Sequence, residues 1–215
     1  MTARALILDF GGVISRTLFE THPMTEAALG LPAGSLTWRG PFDPSGDNLW
    51  QDMQADRITE RQYWQTRTRE VARLTGNNWT AMQDFVIAAR GADPLPIIRP
   101  EALNTIETAH KAGVKLAILS NELDLFYGTE FRKKLPFLKY FDAIVDATYT
   151  AILKPDARAY QLCLDTLSLP AVACVFVDDQ ARNINGADQI GMITQLFDVQ
   201  NPKQSFADAL QHFDL

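Results

Sequence analysis

The sequence predicts an α/β protein, with a doubly wound, mostly parallel sheet and a small helical cap inserted after the first strand. Two observations support this fold class. Short apolar segments alternate with amphipathic helical patterns along most of the chain, and one long stretch after the first segment interrupts the alternation. The alternation is typical of parallel strands joined by crossover helices, and the long stretch is typical of an insertion.

Five apolar segments predict the strands of the sheet. They are rich in Val, Ile and Leu and show little polar alternation, as expected for parallel strands that are covered on both faces. The segments are RALILDF (4–10), VKLAILSN (114–121), DAIVDA (142–147), ACVFVDD (173–179) and MITQLF (192–197).

Two helical patterns lie between these segments. In PEALNTIETAHKAG (100–113), we expect Leu103, Ile106 and His110 to lie on one face of a helix. The pattern DARAYQLCLDTLSL (156–169) spaces its apolar residues at i, i+3, i+4 and i+7, which predicts an amphipathic helix. Its four apolar positions are Tyr160, Cys163, Leu164 and Leu167.

The separation of the first two strands predicts the insertion. Asp9 and Ser120 are 111 residues apart, whereas a βαβ unit takes only about 30. We therefore expect residues 1–15 and 96–215 to form the α/β core and residues 16–95 to form the cap. The chain crossings near residues 15 and 96 are the expected hinges of cap closure.

The predicted cap is helical and rich in aromatic residues. A helical pattern at 57–74 has Ile58, Tyr63, Val71 and Leu74 as its apolar residues, and all four tryptophans of the chain fall within the cap. The aromatic residues Trp38, Phe42 and Trp50 have two interpretations: they form the core of the cap, or they line a substrate entrance.

Composition excludes several functional classes. The chain is 47% hydrophobic and 21% charged, with a net charge of -6, so nucleic acid and anionic membranes are not expected partners. Because the sequence has no membrane-span or signal-peptide pattern, we expect a cytoplasmic protein. Cys163 and Cys174 lack the spacing of a disulfide framework or zinc site, and His22, His110 and His212 are expected to be structural or surface residues.

Polar residues follow four of the five predicted strands. Each group alone is compatible with a turn or a helix cap. In a doubly wound sheet, however, the loops at the carboxyl ends of the strands converge on one crevice. The groups are Asp9, Gly11 and Gly12 after the first strand, Ser120 and Asn121 after the second, Lys154 after the third, and Asp178 and Asp179 after the fourth.

These groups lie in motifs that resemble a known family. LILDFGG, LAILSNE, AILKPDARAY and CVFVDDQARNINGADQIGM resemble, in this order, the four motifs of the haloacid dehalogenase-like (HAD) hydrolase superfamily. The insertion resembles the helical type 1 cap of that superfamily. The resemblance implies a Rossmann-like core and a hydrolase, since most members are phosphatases and some are dehalogenases.

The resemblance also implies roles for the polar residues. Asp9 would be the nucleophile and would become an aspartyl phosphate. Magnesium, which prefers oxygen ligands, would be held by Asp9, the carbonyl of Gly11, Asp178 and Asp179. The substrate would be a small phosphorylated molecule.

The remaining motif residues are implied to bind and stabilise the phosphoryl group. Ser120 and the amide groups around Asn121 would bind phosphoryl oxygens, and Gly12 would allow close approach of the backbone. Lys154 would balance the carboxylates and the developing charge. Asn183 would support the site indirectly or cap a turn.

One position departs from the phosphatase pattern. Phosphatases of this superfamily usually have a second aspartate two residues after the nucleophile, where this chain has Gly11. Such a general acid is worth about 10²- to 10⁴-fold in rate, or roughly 3 to 6 kcal/mol. Three explanations remain open: a leaving group that needs little help, a substitute such as Asp43, Asp47 or a water, or a different reaction. A sugar-phosphatase-like branch of the superfamily resembles this chain in having glycine there.

Two alternatives to a phosphatase follow from this departure. A 2-haloacid dehalogenase would use Asp9 to displace a halide, which leaves without a proton, and Arg39 would bind the substrate carboxylate. A phosphate-binding or regulatory protein would keep the fold and the site without turnover, because Gly11 replaces the acid.

Overall fold

The computed structural model describes residues 3–90, 94–121 and 123–215. Its five parallel strands are β1 (Ala5–Leu8), β2 (Lys115–Ser120), β3 (Ala143–Asp146), β4 (Cys174–Asp178) and β5 (Ile193–Leu196). The α-helices are α1 (His22–Leu29), α2 (Asn48–Gln54), α3 (Glu60–Thr75), α4 (Met82–Arg90), α5 (Pro100–Lys111), α6 (Leu123–Tyr127), α7 (Thr129–Lys133), α8 (Ala147–Thr150), α9 (Ala157–Leu167), α10 (Ala181–Gln189) and α11 (Pro202–Gln211). The predicted α/β class and the five strands are confirmed. Within the described ranges, every helix is too short or too polar to cross a membrane.

The order of the strands places β1 at the centre of the sheet. The order is β3-β2-β1-β4-β5, and every neighbouring pair is parallel. Leu8 at the end of β1 is in register with Ile118 on one side and Val177 on the other. Because the chain builds the sheet outward in both directions from β1, the β1 and β4 ends flank the switch point where ligands bind in such sheets.

Helix α9 covers one face of the sheet as predicted. Its side chains Tyr160, Cys163, Leu164 and Leu167 are buried with the alternate residues Ala5 and Ile7 of β1 in one hydrophobic cluster. The side chains of a strand alternate between its two faces, so Leu6 and Leu8 point to the opposite face and are also fully buried.

The predicted helix α5 is confirmed, but the face that holds Leu103, Ile106 and His110 is not the one it buries. Ile106 is buried, but Leu103 and His110 are exposed. The buried stripe is offset around the helix and consists of Ala102, Thr105, Ile106 and Ala109. Three of these four side chains are small, whereas the bulkier Leu103 remains at the surface.

The chain forms two compact units. The sheet unit comprises the described residues of Met1–Arg16, Ile98–Leu123 and Leu135–Leu215, and the helical unit comprises those of Thr17–Ile97 and Asp124–Lys134. The predicted core, 96–215, includes 124–134. In the structure this segment packs within the helical unit, where the ring of Phe126 lies 5.4 Å from that of Trp64.

The helical unit has an aromatic core around Phe19. The ring of Phe19 lies 5.4 Å from Trp38, 5.3 Å from Trp50 and 5.5 Å from Trp64. Trp38 and Trp50 are buried, which favours the core interpretation for both of them, and Phe42 is half-buried.

The apolar residues of the helical pattern at 57–74, which contains α3, are buried only in part. Tyr63 and Val71 are buried as the helical pattern predicts, and Ile58, just before the helix, is half-buried. Leu74, the last apolar residue of the pattern, is 54% exposed. It lies in the last turn of the helix, where the chain ends the element at Gly76 in a left-handed conformation.

Candidate active site

A buried lysine joins the ends of two neighbouring strands. The Nζ atom of Lys154 donates hydrogen bonds to Oδ1 of Asp9 at 2.7 Å and to Oδ2 of Asp178 at 2.6 Å. Burial disfavours the charged ammonium, but the attraction of Asp178 and Asp9 outweighs it and raises the pKa of Lys154 above its ordinary value. The structure therefore brings together three of the polar residues that the sequence placed at strand ends.

Further hydrogen bonds fix the orientation of Asp178. Its Oδ1 accepts a bond from the backbone N–H of Gln180 at 2.8 Å, and Nδ2 of Asn183 donates to both carboxylate oxygens at 3.1 and 3.0 Å. The hydroxyl of Tyr160 in turn donates to the carbonyl of Asn183 at 2.7 Å. Asn183 therefore orients a carboxylate, and Tyr160, which the sequence analysis used only as a core residue, supports it.

The loops after β2 and β3 are joined by a side chain. Oδ1 of Asn121 accepts a bond from the backbone N–H of Lys154 at 2.7 Å. Nδ2 of the same amide donates to the carbonyl of Lys154 at 3.2 Å. Ser120, the last residue of β2, is buried beside it. The side-chain amide of Asn121 thus holds the lysine, which is a use the sequence analysis did not predict.

Three carboxylates form a cluster with the geometry of a cation site. One ligand oxygen each from Asp9, Asp178 and Asp179 lies within 4.8 Å of the others. Three carboxylates and the Lys154 ammonium sum to a charge of −2 when all are ionised (three negative, one positive). Oxygen donors with an excess of two negative charges fit Mg²⁺, which binds through carboxylates and retains waters. These residues therefore suit the magnesium ion that the family implies.

The loop after β1 approaches the acid pair closely at Gly12. This residue has φ +91°, and a Cβ built on it would lie 2.6 Å from Oδ2 of Asp179. Nε and Nη2 of Arg99 donate to the carbonyl of Gly12 at 3.1 and 3.0 Å. Arg99 is 3% exposed, so a buried guanidinium fixes this turn. Arg99 is not predicted from the sequence, because it carries no local signal beyond preceding the helix start at Pro100.

Gly11 leaves room where a side chain would stand. It is exposed, and a Cβ built on it meets no atom within 4 Å. Its φ lies outside the left-handed region that favours glycine, in which Gly12 is found. The backbone at position 11 is therefore compatible with an ordinary residue.

The two candidate substitute acids have structural roles in the helical unit. Asp47 caps α2 by accepting a bond from the N–H of Trp50 at 2.9 Å, and it also accepts bonds from Tyr63 at 3.0 Å and Arg67 at 2.6 Å. Asp43 is exposed and accepts a bond from the N–H of Gly46 at 3.2 Å. Both carboxylates thus accept hydrogen bonds that stabilise the local structure of the helical unit. Arg39, the candidate carboxylate ligand of a dehalogenase, is exposed and precedes the 3₁₀ turn Gly40–Phe42.

The carboxylates and the lysine lie at the switch point of the parallel sheet, where α/β proteins of this kind bind their ligands. The family model of the haloacid dehalogenase-like hydrolases matches residues 3–191. The chain belongs to this family.

The chain is similar to proteins of more than one activity. Acyl-CoA dehydrogenase family member 10 of Mus musculus is 27% identical over 214 residues, which are 99% of this chain and 19% of that protein. Phosphatase MT3486 of Mycobacterium tuberculosis (strain CDC 1551 / Oshkosh) is 29% identical over 99 residues, 46% of each protein. The chain thus spans less than half the length of both curated relatives. The crystal structure of the L-2-haloacid dehalogenase RSc1362 covers 100% of both chains with a TM-score of 0.68 and 17% identity, a likeness of fold.

Proposed function

We propose that this protein is a Mg²⁺-dependent hydrolase of small phosphorylated metabolites that works through an aspartyl phosphate on Asp9. The observation that carries the proposal is the bridge from Lys154 to both Asp9 and Asp178, with Asp179 in the same cluster. This cluster combines a carboxylate that can act as a nucleophile, an ammonium group held in position by two carboxylates, and oxygen ligands for a divalent ion. The similarity to a phosphatase supports the same reaction class.

Asp9 takes part in both chemical steps, as the nucleophile of the first and as the leaving group of the second. In the first step a carboxylate oxygen of Asp9 bonds to phosphorus, and the bond between phosphorus and the leaving oxygen breaks with its electron pair on that oxygen. In the second step water attacks phosphorus, the aspartyl oxygen departs as the carboxylate, and inorganic phosphate is released. The carboxylate is regenerated and no oxidant or reductant is needed.

The other residues position the phosphoryl group and balance charge. Asp9, the Gly11 carbonyl, Asp178 and Asp179 would hold magnesium, which would supply positive charge against the transferring phosphoryl oxygens. The Lys154 ammonium adds to it from a fixed position, since it is already aligned by two carboxylates. The hydroxyl of Ser120 and the backbone N–H groups of Gly12 and Asn121 bind phosphoryl oxygens.

Halide displacement by Asp9 is less well supported. A halide leaves as an anion, and three carboxylates with one lysine would surround it with excess negative charge. Binding without turnover is also less well supported, because simple anion binding does not need a buried carboxylate such as Asp9 held at 2.7 Å from a lysine.

Phosphate release from a panel of small phosphomonoesters and acyl phosphates, with Mg²⁺ or a chelator, tests the proposal. We expect release by the wild type with Mg²⁺ and loss of it with the chelator and in Asp9→Asn. Asp188→Asn is the matched control, because Asp188 is an exposed carboxylate on α10 of the same unit. Equal release by wild type and Asp9→Asn, or none by either, would contradict the proposal, and halide release from 2-haloacids would then identify a dehalogenase.

A further inference from the structure

Arg99, the residue that immediately precedes α5, places a buried guanidinium beside the loop that follows Asp9. Its Nε and Nη2 atoms both donate to the carbonyl oxygen of Gly12, at 3.1 and 3.0 Å, across a sequence separation of 87 residues. A guanidinium carries a fixed positive charge and a rigid set of donors. Two donors on one oxygen therefore fix both the place and the direction of this carbonyl.

The backbone of Arg99 holds the same loop at a second point. Its N–H donates to the carbonyl of Ile14 at 3.0 Å, and the neighbouring Ile98 forms an antiparallel bridge with Ser15. The side chain and the backbone of Arg99 thus bond to carbonyls that are two residues apart. The loop cannot slide past Arg99 without breaking both sets of bonds.

The guanidinium of Arg99 also connects this loop to the end of β4. It lies over the ring of Phe197, 5.6 Å from the ring centroid. Attraction between a cation and an aromatic ring strengthens when both are shielded from water, and Arg99 and Phe197 are 3% and 2% exposed. The N–H of Phe197 in turn donates to the carbonyl of Asp178 at 2.9 Å. Arg99 therefore lies between the Gly12 turn and a residue that is bonded to the candidate site.

Gly12 needs such support because of its own conformational freedom. It has φ +91°, and a Cβ built on it would lie 2.6 Å from Oδ2 of Asp179, so the carboxylate packs on its Cα. Glycine is required for this approach, but a glycine also samples more backbone conformations than any other residue. A carbonyl held by Arg99 limits the rotation of Gly12 and thereby the direction of its N–H.

We propose that Arg99 is a positioning residue, which holds the Gly12 turn so that the backbone N–H of Gly12 can bind a phosphoryl oxygen. This inference rests on the phosphoryl binding in the proposed function. The side chain acts through the turn, and the N–H that it orients contacts the phosphoryl group in the bound substrate and in the transition state alike. Loss of a contact made equally in both states raises KM and leaves kcat nearly unchanged.

Two substitutions of Arg99 test the inference. Arg99→Met keeps an unbranched apolar side chain next to Phe197 and removes the donors, whereas Arg99→Lys keeps the charge as a single ammonium group. Calorimetry measures the binding of inorganic phosphate to the Mg²⁺-loaded proteins, below the onset of unfolding. We expect Kd to rise by about 10-fold in Arg99→Met, the effect of one lost hydrogen bond, and by less in Arg99→Lys. KM for the panel compound that the wild type hydrolyses fastest should rise by a similar factor, with kcat nearly unchanged.

Arg158→Met is the matched control, because it removes an arginine whose side chain is 73% exposed on α9 of the same unit. Its phosphate affinity should equal that of the wild type. If Arg99→Met does not fold, Arg99→Lys alone decides the test. A lower free energy of unfolding with unchanged Kd and KM would mark Arg99 as merely structural and overturn the inference, as would a wild type that does not bind phosphate. Phosphate binding that depends on Arg99 in a protein that releases no phosphate from the panel would instead refute the proposed hydrolysis, so the two failures are distinguishable.

Discussion

The side-chain amide of Asn121 binds both backbone hydrogen-bonding groups of Lys154. Its Oδ1 accepts the N–H at 2.7 Å and its Nδ2 donates to the carbonyl at 3.2 Å. The two residues lie 33 positions apart, after β2 and β3 respectively. Because the backbone of Lys154 is fixed in this way, its side chain reaches Asp9 and Asp178 in one defined direction.

Asn121→Ala should impair both stability and catalysis. The substitution leaves the backbone N–H and carbonyl of Lys154 buried without these partners, which costs about 1–3 kcal/mol of the free energy of unfolding. We expect kcat to fall more than KM rises, since the lysine is misaligned rather than removed. Denaturant unfolding and steady-state kinetics measure the two effects. Asn104→Ala, at an exposed position of α5, is the control. An unchanged kcat would show that the amide does not position the lysine.

Magnesium should stabilise the fold through the carboxylate cluster. An ion that binds the folded state at 100 times its dissociation constant adds about 2.7 kcal/mol. The melting temperature of the wild type should therefore rise with Mg²⁺, and that of Asp179→Asn should rise much less. Without metal, Asp179→Asn should be at least as stable as the wild type, because one of three neighbouring negative charges is removed. Equal magnesium shifts in the two proteins would contradict the assignment of Asp179 to the site.

Gly186→Ala should destabilise the sheet unit although alanine favours helices. In the interior of a helix this substitution normally gains about 1 kcal/mol. At Gly186 in α10, however, the added Cβ would lie 2.8 Å from the carbonyl oxygen of Pro155 and 2.9 Å from the hydroxyl of Tyr160. We expect a lower free energy of unfolding and reduced kcat, because Pro155 follows Lys154. Gly11→Ala, whose Cβ is unobstructed, should leave stability nearly unchanged. A Gly186→Ala variant that is more stable than the wild type would show that α10 does not pack this closely against Pro155 and Tyr160.

His22 should make the helical unit sensitive to acid. The pKa of His22 is lowered to about 4, chiefly by burial; Glu26 opposes this shift, and Arg39, Arg67 and Arg90 add to it. The unfolded chain, with a pKa near 6.5, binds the proton more readily. The contribution of neutral His22 to stability is therefore complete above about pH 6.5 and is lost as the pH falls towards 4, by up to about 3 kcal/mol.

His22→Phe tests this pH dependence. The phenyl ring preserves the contact with Trp38, whose ring lies 4.3 Å away, but it does not titrate. The free energy of unfolding of the variant should fall less steeply between pH 6.5 and pH 4 than that of the wild type. His110→Phe, which removes an exposed histidine on α5, serves as the comparison. Identical pH profiles for wild type and His22→Phe would show that His22 is not the group responsible.

The sequence was sufficient to predict the sheet and the gathering of Asp9, Lys154 and Asp178. Strand positions follow from short apolar segments, and polar residues at strand ends must meet at one edge of a parallel sheet. The Lys154 bridge spans 145 residues to Asp9, yet topology alone requires its ends to meet. The order of strands and helices along the chain is therefore enough to predict this part of the site.

Contacts that do not follow from topology were missed. The bonds from Arg99 to the carbonyl of Gly12 join positions 87 residues apart and depend on side-chain reach, which no local pattern encodes. The orientation of α5 was also missed, because Leu103 and His110 fit the helical period as well as the small residues that are buried. Periodicity identifies a helix more reliably than the face on which it packs.

The central claim is that Asp9 carries the phosphoryl group, and rapid acid quenching tests it most directly. Wild-type enzyme with Mg²⁺ is mixed with acetyl phosphate, quenched in acid within one turnover, digested and mapped by mass spectrometry. We predict one phosphoryl group on the peptide that contains Asp9, attached to its carboxylate, and none in Asp9→Asn. Phosphate release by the wild type with no phosphoryl group on Asp9, or with one on another residue, would contradict the account.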